Sequence, residues 1–239
     1  ADSGICRSLK VGEDPPFRDR LFPRCFSAAQ RKAALARHVA VCGLDPAVAS
    51  TEDVVGYYQS HGRAERRVMG SRVAPELLAA LRKQLASLRW PAARARPAVR
   101  SEHYLLLYCN RPNPGFETLA EVVWAILERH HPEYPCTMVA VTKNFEGSPH
   151  TDDRDVTYQL ALSVGDWDGG GELCVESEKS CEVAVVTTRD HIAQVDGRFV
   201  HWVRGWGPGD RFSVIYFCTN EARASKATSA VIDVDFRSD

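Results

Sequence analysis

The chain has 239 residues, of which 44% are apolar and 26% are charged, and its formal net charge is −1. This composition is typical of a globular protein with a sizeable core, and the balanced charge excludes binding of nucleic acid or membranes through bulk charge alone. No apolar run approaches the length needed to cross a bilayer, and the first residues show no signal-peptide pattern, so no membrane association is predicted. The chain begins at Ala1 rather than Met, which is compatible with the removal of a preceding segment.

The first predicted helix is marked at both ends. Ser27 with Gln30 three residues later forms a capping-box pattern in front of AAQRKAALARHVAVC, and Gly43 is placed to end that helix. Three more helices are predicted: one that begins after Ser50 or Thr51 and stops at Gly62, one that runs from Pro75 to Pro91 with a stripe of leucines, and FETLAEVVWAILERHH.

Between the last two helices lie an Arg-rich, Pro-containing linker, RWPAARARPAVR, and a predicted strand, HYLLLYC. From about residue 136 the chain changes to short β-branched and aromatic runs separated by Gly, Asp and Pro clusters, ending with AVIDVDF. We therefore predict an α+β fold, a double-stranded β-helix (jelly-roll) barrel buttressed on one face by N-terminal helices. Residues 1–239 would form a single domain, with 1–135 as a mainly helical support and 136–239 as the jelly-roll core.

Eight cysteines are spread along the chain without a Cys-x-x-Cys pair, which argues against a zinc ribbon or a thioredoxin-type motif. Cys109 and Cys218 lie in apolar runs and are predicted to be buried. Cys174 and Cys181 flank a polar stretch typical of a hairpin turn, so they could face each other. We favour a reduced intracellular protein, with the nucleus as one compartment open to it.

The segment SPHTDDRD carries the strongest chemical signal. His150 and Asp152 are two residues apart, so in extended backbone both side chains point to the same side and can reach one metal ion. A second histidine from another strand would complete a set of two histidines and one carboxylate, which leaves coordination positions open and is typical of non-haem Fe(II) oxygenases. In the alternative interpretation, His150 and Asp152 belong to a solvated polar turn.

His201 is the candidate for the third ligand because of the residues that come after it in HWVRGWGPGDRFS. If His201 ends a strand and GWGPGD turns the chain, RFSVIYF returns beside that strand with Arg211 and Ser213 on one face. A guanidinium there could pair with the distal carboxylate of a 2-oxoacid, and the hydroxyl could add a hydrogen bond. In the alternative interpretation His201 is a core residue and His191 the ligand, and Arg211 pairs with Asp210 on the surface.

These motifs resemble the Fe(II)/2-oxoglutarate dioxygenase superfamily: His-x-Asp, a long gap, and His followed ten residues later by Arg-x-Ser, with GGGEL at 169–173 between them. The resemblance covers residues 136–218. It implies Fe(II) held by His150, Asp152 and His201, O2 as oxidant, and 2-oxoglutarate, or ascorbate in its place, held by Arg211 and Ser213. Asn144 is a further candidate contact to the co-substrate, or a residue that satisfies a turn.

The stretch NFEGSPHTDDRD-x-TYQLALSVGDWDGGGELCVE is similar to the TET/J-binding-protein branch, algal and protist members in particular. That similarity implies oxidation of the methyl group of 5-methylcytosine or another methylated pyrimidine, with DNA as partner. The protein is expected to be a monomer. Candidate substrate contacts are Asp155, Phe145, Trp202, Arg94 and Arg96. Tyr57, Tyr58, Trp202 or Trp206 could stack on a flipped base, although core packing explains each of them as well.

The sequence is compatible with two other functions. One is hydroxylation of a protein side chain or a small molecule on the same scaffold. The other is a catalytically inactive barrel that binds nucleic acid or protein, which the intact set of five motif residues disfavours, since a binding module does not need it.

Overall fold

A computed structural model of the chain describes residues 9–91, 102–145, 149–177 and 181–226. The helices within these ranges are α1 (Phe17–Leu21), α2 (Ala28–Cys42), α3 (Thr51–His61), α4 (Pro75–Ala86) and α5 (Glu117–His130), with a 3-10 turn at Glu221–Arg223. The strands are β1 (Ala64–Met69), β2 (Ser71–Arg72), β3 (His103–Tyr108), β4 (Met138–Lys143), β5 (Gln159–Gly165), β6 (Leu173–Glu176), β7 (Glu182–Thr187), β8 (His191–Val195), β9 (His201–Val203) and β10 (Arg211–Phe217). AVIDVDF lies outside the described residues.

The predicted helices are present. The Ser27 hydroxyl accepts from the backbone of Gln30, whose side chain accepts from the backbone of Ser27, and Gly43 takes a left-handed conformation at the end of α2. The helix predicted to run from Pro75 to Pro91 is shorter than expected: α4 ends at Ala86.

The strands form two sheets that face each other, with the orders β2-β8-β5-β10-β4-β3 and β1-β7-β6-β9. From β4 to β10 the chain crosses repeatedly between the sheets, and the pairs within them are antiparallel except β1 with β7. Apolar side chains from both sheets fill the space between them: Ala161, Leu173, Val175, Ala184, Val186, Ala193, Val195, Phe199 and Val203. We call this set the barrel interior. The arrangement is a jelly roll, which confirms the predicted α+β fold.

Helices cover both outer faces of the barrel, so the expectation of helices on one face is wrong. Helices α4 and α5 pack on the six-stranded sheet, where Leu81 and Ile126 share a core with Leu162. Helices α1 to α3 pack on the four-stranded sheet, where Leu21 and Tyr58 belong to a second core. Both sheets have apolar outer residues, and each must be shielded from water.

The first half also supplies strands to both sheets. No strand is predicted from the sequence at Ala64–Met69, yet β1 pairs in parallel with β7, and Val68 packs against the barrel interior. Strands β2 and β3 lie at the two edges of the six-stranded sheet. The boundary at residue 135 therefore does not separate helices from sheets.

The return strand after His201 is placed differently from the prediction. Strand β10 does not lie beside β9: it pairs with β4 and β5, whereas β9 pairs with β6 in the other sheet. The turn over residues 204–210 thus carries the chain across the barrel. His201 and Arg211 start strands in opposite sheets.

The described cysteines are free thiols, and Cys6 lies outside the described residues. Cys174 and Cys181 do not face each other, because Cys174 is in register with Val185 and Cys181 lies 3.9 Å from the Tyr58 hydroxyl. In the described part of the chain no helix combines the length and the apolar character needed to cross a bilayer.

The segment before α1 is tied to the four-stranded sheet by Asp14. Its carboxylate accepts hydrogen bonds from Trp202 Nε1 at 2.8 Å and from the Arg204 Nε and NH2 atoms at 2.9 and 3.0 Å, and it pairs with Arg20 at 3.2 Å. Arg204 also pairs with Glu65 on β1. Burial raises the pKa of Asp14, but the hydrogen bonds from Arg204 and Trp202 outweigh it and leave the pKa below its ordinary value.

We expect Asp14→Ala to lower the free energy of unfolding by about 3–5 kcal/mol, because it removes the carboxylate that pairs with buried Arg20 and leaves Arg204 with Glu65 alone. Urea denaturation checks this. Since the folded-state pKa is lowered, the wild-type contribution is present above the ordinary carboxyl pKa and is lost as pH falls through the folded value. Asp19→Ala is the control: Asp19 pairs with Arg24, whose side chain is 71% exposed, so at most about 1 kcal/mol should be lost. Equal losses in the two variants would contradict the prediction.

Candidate functional site

Two histidines are held next to each other by backbone pairing. His150 forms an antiparallel bridge with His201 at the start of β9: the His150 N–H donates to the His201 carbonyl at 3.1 Å, and the reverse bond is 3.0 Å. Directly opposed residues point to the same side of a sheet, and the two imidazole centroids are 4.3 Å apart. Val203, two residues after His201, belongs to the barrel interior, so this is the side to which both rings point.

Asp152 completes the cluster. Its backbone N–H donates to the Gly197 carbonyl at 2.8 Å, and its carboxylate oxygens lie 3.7 Å from His150 Nε2 and 3.5 Å from His201 Nε2. One donor atom from each of the three residues lies within 4.8 Å of the others, and no other group of this kind occurs among the described residues. His191, the alternative ligand, is not part of it: its Nδ1 lies 2.6 Å from the Arg189 carbonyl.

The hydrogen bonding of His201 suits a metal ligand. Its Nδ1 lies 3.0 Å from the Phe199 carbonyl, which can only accept, so Nδ1 donates this bond and Nε2, on the side of Asp152, is the ring nitrogen left for a metal. Two imidazoles and one carboxylate on one side of a site fit a non-haem Fe(II) ion with positions left for other ligands.

Arg211 is a buried cation without a carboxylate partner. Its residue is 2% exposed, and its Nε and NH1 atoms donate to the Gly171 carbonyl at 3.1 Å and to Ser213 Oγ at 2.6 Å, both uncharged. Among the described residues it makes no ion pair, and Asp210 contacts Lys143 and Asn144 instead. Burial lowers the pKa of Arg211 to about 10. A buried guanidinium that makes no ion pair favours the binding of an anion.

Hydroxyl groups line the barrel next to Arg211. In β10, Ser213 is in register with Thr142 on β4 and Ser163 on β5, so the three hydroxyl side chains share one face of the sheet. Ser163 Oγ is bonded to Thr188 Oγ1 at 2.8 Å, but Thr142 Oγ1 is buried with no hydrogen-bond partner. Buried polar atoms are rarely left unpaired, so this group also points to a ligand.

The glycine turn before β6 shapes the wall behind Arg211. The indole of Trp167 lies 5.6 Å from the Arg211 guanidinium carbon and donates to the Gly170 carbonyl at 3.0 Å. Gly171 has φ +79°, and a Cβ there would lie 2.7 Å from Trp167 Nε1 and 3.2 Å from Arg211 Nε. The glycine is therefore required both by its backbone conformation and by the close approach of these side chains.

We expect Gly171→Ala to destabilise the protein and to displace Arg211. The control Gly115→Ala has a similar φ of +81° but open space around the added methyl group, so it should show only the backbone strain, about 1–2 kcal/mol. Thermal unfolding and 2-oxoglutarate titration should show the larger loss of stability, and the only loss of binding, in Gly171→Ala. Identical behaviour of the two variants would show that the methyl contact is not important.

Two aromatic residues show that the His-Asp-His cluster and Arg211 both lie next to the barrel interior. Phe145 lies 5.9 Å from the His150 ring, Trp206 lies 5.9 Å from the Arg211 guanidinium carbon, and both pack against the barrel interior. Phe145 therefore stays a predicted pocket residue, and Trp206 remains a candidate for stacking.

Trp202 and Tyr58 do not face this pocket, so their predicted substrate contacts are wrong. Trp202 alternates with His201 along β9 and points to the opposite side, where it is fully buried under α1 to α3. Tyr58 is fully buried in the same core. Tyr57 stacks on His61 with ring centroids 4.2 Å apart.

Asp155 is also placed differently from the prediction. It is 8% exposed and lies behind Asp152, with Oδ2 accepting from Gln159 Nε2 at 2.5 Å. Burial, together with the neighbouring Asp152 carboxylate, raises the pKa of Asp155 to about 7. Its bond to Gln159, which also bonds Asp152, places Asp155 in support of Asp152 rather than at the surface.

Asn144 is committed to the sheet. Its backbone and Oδ1 pair with the backbone of Arg211, and its Nδ2 donates to Glu102 at 2.7 Å and Asp210 at 3.0 Å. This arrangement, with φ +49°, supports the alternative of a turn residue over a co-substrate contact. Arg94 and Arg96 lie outside the described residues, so their contacts with phosphates stay predictions.

No family model matches this chain, and neither does any curated protein. Among solved structures it is similar to "NgTET1 in complex with 5mC DNA" (19% identity, TM-score 0.30, 37% of this chain and 36% of that one). It is also similar to a 2OG-Fe(II) oxygenase family oxidoreductase from Burkholderia pseudomallei (17%, 0.42, 62% and 82%) and a Pseudomonas putida prolyl-4-hydroxylase (16%, 0.40, 63% and 90%). The chain thus spans about a third of the NgTET1 chain.

Three contributors to the site were missed from sequence: Gln159, Thr142 and Trp167. Each lies in a segment interpreted only as a strand or a turn. The alternation along β5 and β4 could have placed Gln159 and Thr142 on the polar inner face, since their neighbours Leu160 and Val141 are outward and apolar.

Proposed function

We propose that this protein is an Fe(II)- and 2-oxoglutarate-dependent dioxygenase. His150, Asp152 and His201 would hold the metal, and Arg211 with Ser213 would hold the distal carboxylate of the 2-oxoacid. The observation that carries the proposal is the presence, in one jelly roll, of a His-Asp-His donor set and a buried guanidinium that makes no ion pair with a described residue. An inactive binding module would require neither feature.

The residues around the site have distinct tasks. When bound, Fe(II) supplies the coordination positions and redox chemistry for O2 and the 2-oxoacid. The bond from Nδ1 to the Phe199 carbonyl orients His201, the guanidinium and hydroxyls of Arg211, Ser213 and Thr142 would fix the anionic end of the co-substrate, and the apolar barrel interior limits the entry of water.

We further propose that the substrate is the methyl group of 5-methylcytosine or another methylated pyrimidine in DNA. The support is the similarity of the segment from NFEGSPHTDDRD to GGGELCVE to the TET/J-binding-protein branch. Exposed arginines on β1 and β2, Arg67 and Arg72, offer charges that could contact phosphates. The jelly roll itself is compatible with other substrates.

Matched duplexes with cytosine or 5-methylcytosine at one position test this directly. The protein is incubated with Fe(II), 2-oxoglutarate and O2, and nucleosides are then identified by mass after digestion, with succinate measured in parallel. We expect an oxidised nucleoside only from the methylated duplex, together with succinate. Succinate formation without DNA oxidation would retain the enzyme class and favour a protein or small-molecule substrate.

A second measurement separates the enzyme from an inactive module. Under anaerobic conditions, Fe(II) and 2-oxoglutarate together should give a weak visible charge-transfer band. If there is neither a band nor turnover of 2-oxoglutarate in air, the dioxygenase proposal is wrong.

A further inference from the structure

Gln159 reaches the metal cluster from the opposite sheet. It starts β5, where Ala161 two residues later belongs to the barrel interior, and its residue is only 5% exposed. Its Nε2 donates to Asp152 Oδ2 at 2.6 Å and to Asp155 Oδ2 at 2.5 Å. Both amide protons are thus given to carboxylates, and the oxygen end of the amide cannot replace them because it has no proton.

The space around this amide is closed. A Cβ on Gly197 would lie 2.5 Å from Gln159 Nε2 and 3.1 Å from Asp152 Oδ2, while the Gly197 carbonyl accepts from the Asp152 backbone. The Asp155 N–H donates to the Asp152 carbonyl at 3.2 Å. Gly197 and Asp155 therefore fix the backbone of Asp152, and Gln159 fixes its carboxylate.

We propose that Gln159 is a positioning residue that holds Asp152 as a one-oxygen metal ligand, with Asp155 as its anchor. This inference rests on the proposed metal site. Oδ2 is occupied by the amide, which leaves Oδ1 as the oxygen to bind the ion. Without the amide, Asp152 can rotate or bind through both oxygens, which would take a coordination position that the co-substrate or O2 requires.

Co(II) is the probe, because its visible absorption reports coordination number and it does not need O2. The variants are Gln159→Leu, which removes both donors at similar volume, and Gly197→Ala, which displaces the amide but leaves Gln159 in place. We expect Co(II) to bind about 10–100-fold more weakly to both variants, with an altered visible spectrum. Gln194→Leu is the matched control: Gln194 alternates with the interior residues Ala193 and Val195 on β8, so it should bind Co(II) as the wild type does.

The outcomes separate this inference from the function on which it rests. If wild-type protein binds Co(II) but both variants bind it with unchanged affinity and spectrum, the role of Gln159 is wrong and the metal site stands. If the wild type itself does not bind Co(II), both proposals fall. Should Gln159→Leu not fold, as judged by circular dichroism, Gly197→Ala decides alone.

Discussion

Arg211→Met is expected to weaken the binding of 2-oxoglutarate strongly. Removing one partner of a buried, hydrogen-bonded charge pair costs about 2–5 kcal/mol, which corresponds to an affinity loss of about 30- to 5,000-fold. Anaerobic calorimetric titration of 2-oxoglutarate into Mn(II)-loaded protein measures this. Arg189→Met is the control, because this exposed arginine lies 4.4 Å from the Trp167 ring yet has no contact with Ser213.

The same variant should be more stable than the wild type when no ligand is present. Arg211 is buried and makes no ion pair with a described residue, and methionine of similar length removes that desolvation cost, for an expected gain of about 1–4 kcal/mol in the free energy of unfolding. Added 2-oxoglutarate should then raise the melting temperature of the wild type only. A variant that is less stable and still binds 2-oxoglutarate would show that Arg211 has a structural role.

His201→Ala is expected to remove metal binding. It deletes one of the three proposed protein ligands, so the loss of affinity should exceed the roughly 100-fold upper range for residues that only orient a ligand. Titration with Co(II) or Fe(II) measures the affinity, and succinate formation should disappear with it. His191→Ala is the matched control, because His191 lies on β8 outside the cluster. Loss of metal binding in His191→Ala, with retention in His201→Ala, would reverse the ligand assignment.

The sequence was informative where a local rule determines geometry. Two-residue alternation placed His150 and Asp152 on one side, and the capping box located the start of α2. The same alternation shows why the prediction for Trp202 was wrong: a residue next to an inward histidine in a strand must point outward.

Long-range pairing explains most of the other differences. Half of the residues of strand β1 are charged, so no local pattern predicts a strand there, but it is stabilised by its parallel partner β7, more than 100 positions further on. The crossing between β9 and β10 likewise depends on which sheet accepts each strand, and no short motif encodes that. The role of Gln159 depends on the approach of β5 to the Asp152 loop across the barrel.

The bond between Asp14 and Arg204 has a consequence for how the chain reaches its folded state. These residues are 190 positions apart, and their contact fastens the strand that begins with His201. During synthesis on a ribosome the early segment must wait for nearly the whole polypeptide before this pairing can form. A fragment that begins after the N-terminal segment containing Asp14 should consequently be insoluble when expressed alone. Co-expression of that N-terminal segment as a separate chain should restore its solubility.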